Sequence, residues 1–188
     1  MNLEDVAKSL ERRGFEVSVC ADAEQAAAKV MELTAAAKSV AWGGSESLKA
    51  LGVRDRIAAE GKLFPELYNT ADCFLLSANA LTSDGRIVNI DGTGNRVSAS
   101  IYGPATVVYV IGRNKLVDGG IDAAIDRIKR CACPPNCRRL GKNTPCAATG
   151  VCADCDSPDR ICKVTVVFDR APSRTRSVVV LVDADLGY

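Results

Sequence analysis

Short apolar runs that alternate with helix-forming runs constrain this chain more than any other feature. "FEVSVC" alternates as a strand does, "KSVAW" and "TVVYVIG" read as buried strands, and "DAEQAAAKVMELTAAA" between the first two is rich in helix formers. Ahead of them "LEDVAKSLERR" sets Leu3, Val6 and Leu10 on one helical face, with Asn2 as N-cap and Gly14 ending the helix. "SESLKALG" and "VRDRIAAEG" predict two more helices, followed by the apolar "ADCFLLSANAL" and the hairpin-like "TSDGRIVNIDG". "GIDAAIDRIKR" predicts a helix with Ile121, Ile125 and Ile128 inward, and "KVTVVFD" and "RTRSVVVLVD" are the last strands. This order predicts an α/β sandwich, a mostly parallel sheet flanked by helices. At 188 residues, 47% of them hydrophobic, the chain is expected to form one domain over residues 1–188 around one core.

Charge and composition exclude several classes of function. The formal net charge is +1 and the Lys and Arg residues are scattered, so no basic face is set out for nucleic acid or an anionic membrane. "MNLEDVAKSLERRGFEV" is charged where a secretory signal is apolar, and no run approaches the roughly 18 apolar residues of a membrane span. A cytoplasmic protein is expected. Histidine is absent, which removes the usual general base near neutral pH, Ser-His and Cys-His nucleophile pairs, and mixed Cys/His metal sites. Catalysis then rests on Asp, Glu, Lys, Cys, backbone amides or a cofactor.

Seven of the nine cysteines lie in one tract, residues 131–162. The tract lacks regular periodicity and reads as a cysteine-rich loop inserted between the last helix and the last strands. An irregular stretch of about 30 residues inside a compact domain requires something to organise it. A disulfide framework is the weakest candidate, because the expected compartment is reducing and nine thiols cannot all pair. Only Cys152 and Cys155 form a CxxC pair, whereas structural zinc sites of the ribbon type use two. Iron–sulfur clusters accept more irregular thiolate spacing and lead the alternatives, ahead of zinc and of free or redox-active thiols. Cys20 and Cys73 sit in strand-like apolar runs and are expected to pack as small hydrophobes.

Two glycine-rich turns are candidate anion sites. In "VAWGGSES" a strand passes through Gly44 into a helix beginning at Ser45, and backbone N–H groups with the Ser45 and Ser47 hydroxyls suit a phosphate or carboxylate. The alternative is an ordinary turn with Ser45 as N-cap. In "NIDGTGNRVSAS" the strand leads through Asp91, Gly92, Thr93, Gly94, Asn95 and Arg96 toward a helix. This is neither GxGxxG nor a P-loop. Asp91 is a candidate base or metal ligand and Arg96 a forked clamp for a carboxylate or phosphate, the alternative being a turn aspartate and a solvated arginine. Asn79, Thr82 and Asp84 precede a turn toward the same sheet edge, and Asn114 and Lys115 follow a third strand; they either join the site or are plain polar turns. Turns of this kind meet at the carboxyl edge of open α/β sheets, where ligands bind.

Read in order, "GGSESL", "SANALTSDGRIVNIDGTGNR", "YGPATVVYVIGRNKLV", "TPCAATGVCADCDSPDRIC" and "VLVDADLGY" resemble the LUD-domain (lactate utilization) family over nearly the whole chain. The resemblance implies a fold similar to ribose-5-phosphate isomerase and CoA transferases. It also implies a link to oxidation of lactate or a similar small hydroxy acid, beside iron–sulfur and flavin-type partner subunits. The chain is similar to a short, cysteine-bearing branch whose T-P-C-x5-C-x2-C-x6-C pattern falls on Cys146, Cys152, Cys155 and Cys162, which makes those four the expected metal ligands. Cys131, Cys133 and Cys137 stand where that branch often carries Ala or Pro. Two further readings stay open. One is a non-enzymatic assembly or interaction subunit of a redox complex. The other is isomerase or CoA-transfer chemistry with Glu46 or Asp91 as base or nucleophile, which rests on fold analogy alone. A small anionic metabolite is the expected ligand, and a homodimer the default assembly.

Overall fold

Strand-forming runs segregate into two sheets in the computed structural model, which describes residues 2–188. The strands are β1 (Glu16–Cys20), β2 (Val40–Trp42), β3 (Cys73–Leu76), β4 (Ala80–Thr82), β5 (Ile87–Asp91), β6 (Thr106–Gly112), β7 (Leu116–Val117), β8 (Val164–Phe168) and β9 (Arg176–Val182). The helices are α1 (Leu3–Arg12), α2 (Ala23–Thr34), α3 (Glu46–Ala50), α4 (Val53–Ala59), α5 (Asn95–Ile101), α6 (Ile121–Arg127), α7 (Cys133–Arg139) and α8 (Pro145–Thr149).

The larger sheet has the order β1-β9-β6-β3-β2 and all its pairings are parallel. The smaller has the order β7-β4-β5-β8, with β5 antiparallel to both its neighbours and β4 parallel to β7. Period-two alternation assigns each strand's side chains to layers. Phe74, Tyr109, Ile111, Val179 and Leu181 point from the large sheet into a core shared with Val6 and Leu10 of α1 and with Leu81, Ile87 and Phe168 of the small sheet. Their neighbours Leu75, Val108, Val110 and Val180 point the other way, against Ala26 and Val30 of α2, Leu48 of α3 and Ile57 of α4. On the outer face of the small sheet Ala80, Val88 and Ile90 pack under Ala124 of α6 and Ile128. The architecture is thus helix, sheet, sheet, helix. Each fully buried Val or Leu contributes roughly 1.5–3 kcal/mol.

A mostly parallel sheet flanked by helices is what the alternation of elements predicts. The second sheet is not in that reading. It arises because "ADCFLLSANAL" is two strands: residues 77–79 break the run after Leu76, and the chain leaves the large sheet to begin β4. The cysteine tract also differs from the expected irregular loop. α6 runs on through one π-type turn, Ile128–Ala132, directly into α7, and α8 follows. Pro145, in the first turn of α8, occupies a position whose missing N–H costs no hydrogen bond. The five-residue link between α7 and α8 and the longer segment from about Val151 to Lys163 are the parts of the tract without regular structure. No helix among the described residues is long and apolar enough to cross a membrane.

Parallel pairing puts the carboxyl ends of β2, β3, β6 and β9 at one edge. There Gly112 has an ordinary φ of −74°, but a Cβ on it would stand 2.7 Å from both Ala184 O and Leu186 N. The absent side chain lets the segment after β9 cross the end of β6. Gly112→Ala is expected to cost about 1–3 kcal/mol by overpacking, measured by urea unfolding, with the far-UV circular dichroism of the folded state unchanged.

Candidate functional site

A cleft of about 390 Å³ opens at this carboxyl edge, between the turns that follow β2, β3, β5 and β6 and the wall made by α7. Its floor holds the Lys115 side chain, which reaches the cleft from the 3-10 turn after β6 and is only 5% exposed. Lys115 Nζ donates to Ser47 Oγ at 2.6 Å and to Ser77 Oγ at 2.9 Å. Each serine directs its own hydroxyl hydrogen to a backbone carbonyl, Ser47 to Leu186 O at 2.9 Å and Ser77 to Ala78 O at 3.3 Å. No carboxylate pairs with Lys115 among the described residues. Burial, reinforced by the positive charges of Arg127 and Arg96, lowers its pKa to about 7.

The ends of the chain's elements lock around this amine. Asn114 donates from Nδ2 to Gly187 O at 3.1 Å and accepts from Leu186 N at 3.1 Å, which fastens the terminal segment over β6. Gly187 sits at φ +65° and a Cβ there would come within 2.9 Å of Ser47 N and Oγ, so the close approach depends on glycine. Arg127 spans the floor by donating to Asn79 O at 2.8 Å and Asn114 O at 2.8 Å.

Both glycine turns reach the cleft. Gly44, Ser45, Glu46 and Asn79 line one side; Asp91, Gly92, Thr93, Asn95 and Arg96 line another. Ser47 lies beneath the first turn, and Gly94 is the left-handed residue (φ +83°) that starts α5 without lining the cleft. The two turns touch, since the place of a Cβ on Gly43 is 3.1 Å from Arg96 Cγ.

The individual roles differ from the expected ones in several places. Asp91 is buried, and its carboxylate accepts from Gly92 N, Arg96 N and Val97 N at 3.0–3.3 Å and from Arg96 Nε at 3.4 Å. The second turn therefore holds an anion, but it is the chain's own. Arg96 adds Nη2 to Ile90 O at 2.9 Å, so part of this forked donor is spent internally. Ser45 caps α3 by accepting from Leu48 N. Thr93 donates to Asn95 Oδ1 at 2.6 Å, and Asn79 accepts from Ile90 N while its own N–H donates to Asn89 Oδ1, which ties β4 to β5. Glu46 remains at the rim, paired with Lys49 at 2.7 Å and Arg139 at 3.4 Å. Thr82 and Asp84 hydrogen-bond each other in the β4–β5 turn, where Asp84 also meets Arg13 and Arg86, away from the cleft.

The sequence pattern places Lys115 only in a third polar turn and does not single out Ser77 or Arg127. Lys115 is the first charged residue to turn inward after the longest buried strands, and Ser77 directly ends β3; both positions are visible once parallel strand order is known. The thiol wall was equally hidden. Cys133 lines the cleft, and Cys137 and Cys146 lie buried behind it with sulfurs 3.7 Å apart. Burial, with repulsion from Cys162, Cys137, Cys152 and Cys146, pushes the Cys133 thiol up to about 12. Cys137 is raised as well, mainly by burial. Cys152, Cys155 and Cys162 are half-buried on the irregular segment, and Cys131 is exposed. Cys20 and Cys73 are buried in the core, where burial raises both thiols. All nine thiols are free. The donor chemistry of the wall suits a soft metal, because the thiols that repel one another as anions are those a cation would stabilise. Among the described residues no group of three or more Cys, Asp or Glu side chains is gathered closely enough to hold a metal ion in this arrangement.

The LUD domain family model matches residues 3–182. The chain belongs to the LUD-domain family. Its fold is similar to that in the crystal structure of a DUF162 family protein from Deinococcus radiodurans, with a TM-score of 0.55 at 15% identity over 96% of this chain and 94% of the other. At that identity the likeness is one of fold. No curated protein matches the chain. Within the LUD fold of this chain, the cleft lies where open α/β sheets place their ligands.

Linkage gives the buried amine a measurable signature. A lysine whose pKa falls from 10.5 to about 7 on folding is protonated in the unfolded chain and less so in the native one between those values. Wild-type stability therefore rises with pH from about 7 to about 10. Lys115→Met removes this component: the variant is expected to be the more stable protein at pH 7, with the difference shrinking toward pH 10 and flat below about pH 6, measured by urea unfolding at each pH.

Proposed function

We propose that the cleft takes a small organic anion, a 2-hydroxy or 2-oxo acid of the size of lactate or pyruvate, and that the domain serves its oxidation. The observation that carries this reading is the Lys115 amine, buried at the floor of an open cleft with arginines nearby and no carboxylate to balance it. Such a site favours an anion that brings its own negative charge, and a volume of about 390 Å³ admits a small acid with room to spare. Family membership supports the choice of acid, through the link to lactate utilization that the resemblance implies. Isothermal calorimetry with lactate, pyruvate, sugar phosphates and CoA esters tests it. Saturable binding of the small acids, lost in Lys115→Met, is expected; binding of none of them sinks the reading.

The cysteine wall fits a thiolate-bound group by its donor chemistry, and Cys146, Cys152, Cys155 and Cys162 are the residues that would hold it, with Cys133 and Cys137 adjoining. An iron–sulfur cluster would supply a one-electron acceptor beside the cleft, whereas zinc would order the segment. Protein purified anaerobically is expected to carry iron and sulfide with a visible band that bleaches on reduction, and to lose them in Cys146→Ser but not in Cys131→Ser. Zinc alone, or no metal, would remove the redox role of the wall.

One observation favours a second reading, a non-catalytic subunit of a redox complex. Asp91 and Glu46, the acid–base candidates, are each engaged by internal cations. Turnover of a small acid by the purified chain with an artificial electron acceptor would eliminate it. The same pairing weakens isomerase or CoA-transfer chemistry through those two carboxylates.

A further inference from the structure

We propose that Lys115 is a nucleophile that condenses with the carbonyl of a small 2-oxo acid to form an imine in the cleft. The proposal deepens the reading above and rests on the cleft accepting such acids.

Three features of the site point to it. The first is the hydrogen-bond polarity around Nζ. Ser47 and Ser77 have each committed a hydroxyl hydrogen to a carbonyl, so toward Lys115 both act as acceptors. A neutral amine has two hydrogens and one lone pair. Its hydrogens go to the two serines, and the lone pair is left unused. A lysine buried for structural reasons is ordinarily met by a carboxylate that balances its charge, and this one is met by two neutral hydroxyls, which accept from it without balancing an ammonium.

The second feature is the electrostatic setting. Desolvation and the Arg127 and Arg96 charges act in one direction, toward the free amine near neutral pH. Both conditions, desolvation by burial and a neighbouring cation, are those that activate amine nucleophiles toward carbonyls. The third is access. Lys115 and Ser77 both line the cleft, as does Arg96, whose Nη1 has no hydrogen-bond partner among the described residues and faces no competition for a substrate carboxylate. An acid held by its carboxylate at Arg96 has its carbonyl carbon on the adjoining atom, inside the same cleft that Lys115 lines.

The step balances without oxidant or reductant. The Nζ lone pair forms a bond to the carbonyl carbon, and one amine hydrogen passes to the former carbonyl oxygen to give a carbinolamine. The C–O bond then breaks, and the oxygen departs as water with the second amine hydrogen. The product is a C=N bond between Lys115 and the acid. A 2-hydroxy acid lacks the carbonyl and binds without reacting, so the site distinguishes the two redox partners of one carbon skeleton by covalent capture of the oxidised one.

Borohydride trapping tests this on the intact protein. Wild-type protein is incubated at pH 7.5–8, in separate samples (about one unit above the Lys115 value), with pyruvate or lactate and then reduced, and the product is read by intact mass and peptide mapping. One reduced pyruvate adduct on the peptide carrying Lys115 is expected, none with lactate, and background levels in Lys115→Met. The mapping needs no variant, so a misfolded Lys115→Met leaves the test intact. Ser77→Ala, which removes one acceptor, is expected to slow trapping several-fold while the adduct stays on Lys115. Calorimetric binding of pyruvate with no adduct, or an adduct spread evenly over surface lysines, overturns the imine and leaves the anion cleft standing. Absence of both binding and adduct overturns the two together.

Discussion

The seven-residue parallel pairing of β6 with β9 sets the direction of the large sheet, and the positions of the functional groups follow from it. Because β2 and β3 join the same sheet in the same sense, the turns that leave all four strands emerge on one side. Ser47 follows β2, Ser77 follows β3, Lys115 follows β6 and Leu186 follows β9, and these four groups form one hydrogen-bonded knot although they span the chain from residue 47 to residue 186. An antiparallel sheet would have divided them between its two ends. The knot is also held from below by Arg127, which ties α6 to the turns after β3 and β6. Fold and site thus share one cause, strand direction, and a change that disturbs the sheet order disturbs the amine.

Much of this was legible in residues 1–60 and 95–130, where each element has a strong period and a punctuating residue. Asn2 capping α1, Val6 and Leu10 facing the core, and Gly14 turning left-handed after the helix are all readable as local chemistry. What was not legible depends on partners distant in sequence. That "VTVVF" pairs antiparallel with β5, outside the main sheet, is not encoded in its own five residues. The helicity of α7 was hidden because two prolines and two cysteines stand where periodicity is normally read. Asp91 illustrates the same limit at the site. Its glycine-rich surroundings announce an anion-binding turn, and the turn does bind an anion, but only the folded backbone shows that Asp91 itself fills it. Lys115 read as a surface turn residue because charge predicts exposure on average, and its burial is set by Ser47 and Ser77, 68 and 38 residues away.

The thiol wall relates to the cleft through a single element. Cys133 begins α7 and lines the cleft, while Cys137, one turn further, faces Cys146 of α8. The continuous path from α6 through the π-type turn to α7 is therefore a mechanical link between the Arg127 staple and the cysteines. π-type turns recur where helices carry function, since the wider turn shifts side chains out of their α-helical register. Here the shift falls between Arg127, which must point at the floor, and Cys133, which must point at the cleft wall.

The self-supplied carboxylate of Asp91 has a consequence for binding. A turn built to bind an external anion is held apart by its own converging N–H dipoles until that anion arrives, and ordering it then consumes part of the binding free energy. With Asp91 in place, the backbone from Gly92 to Val97 and the Arg96 side chain are already set when the cleft is empty. On the proposed reading, an acid that enters the cleft meets a turn already ordered on this side, so ordering it takes nothing from the binding free energy.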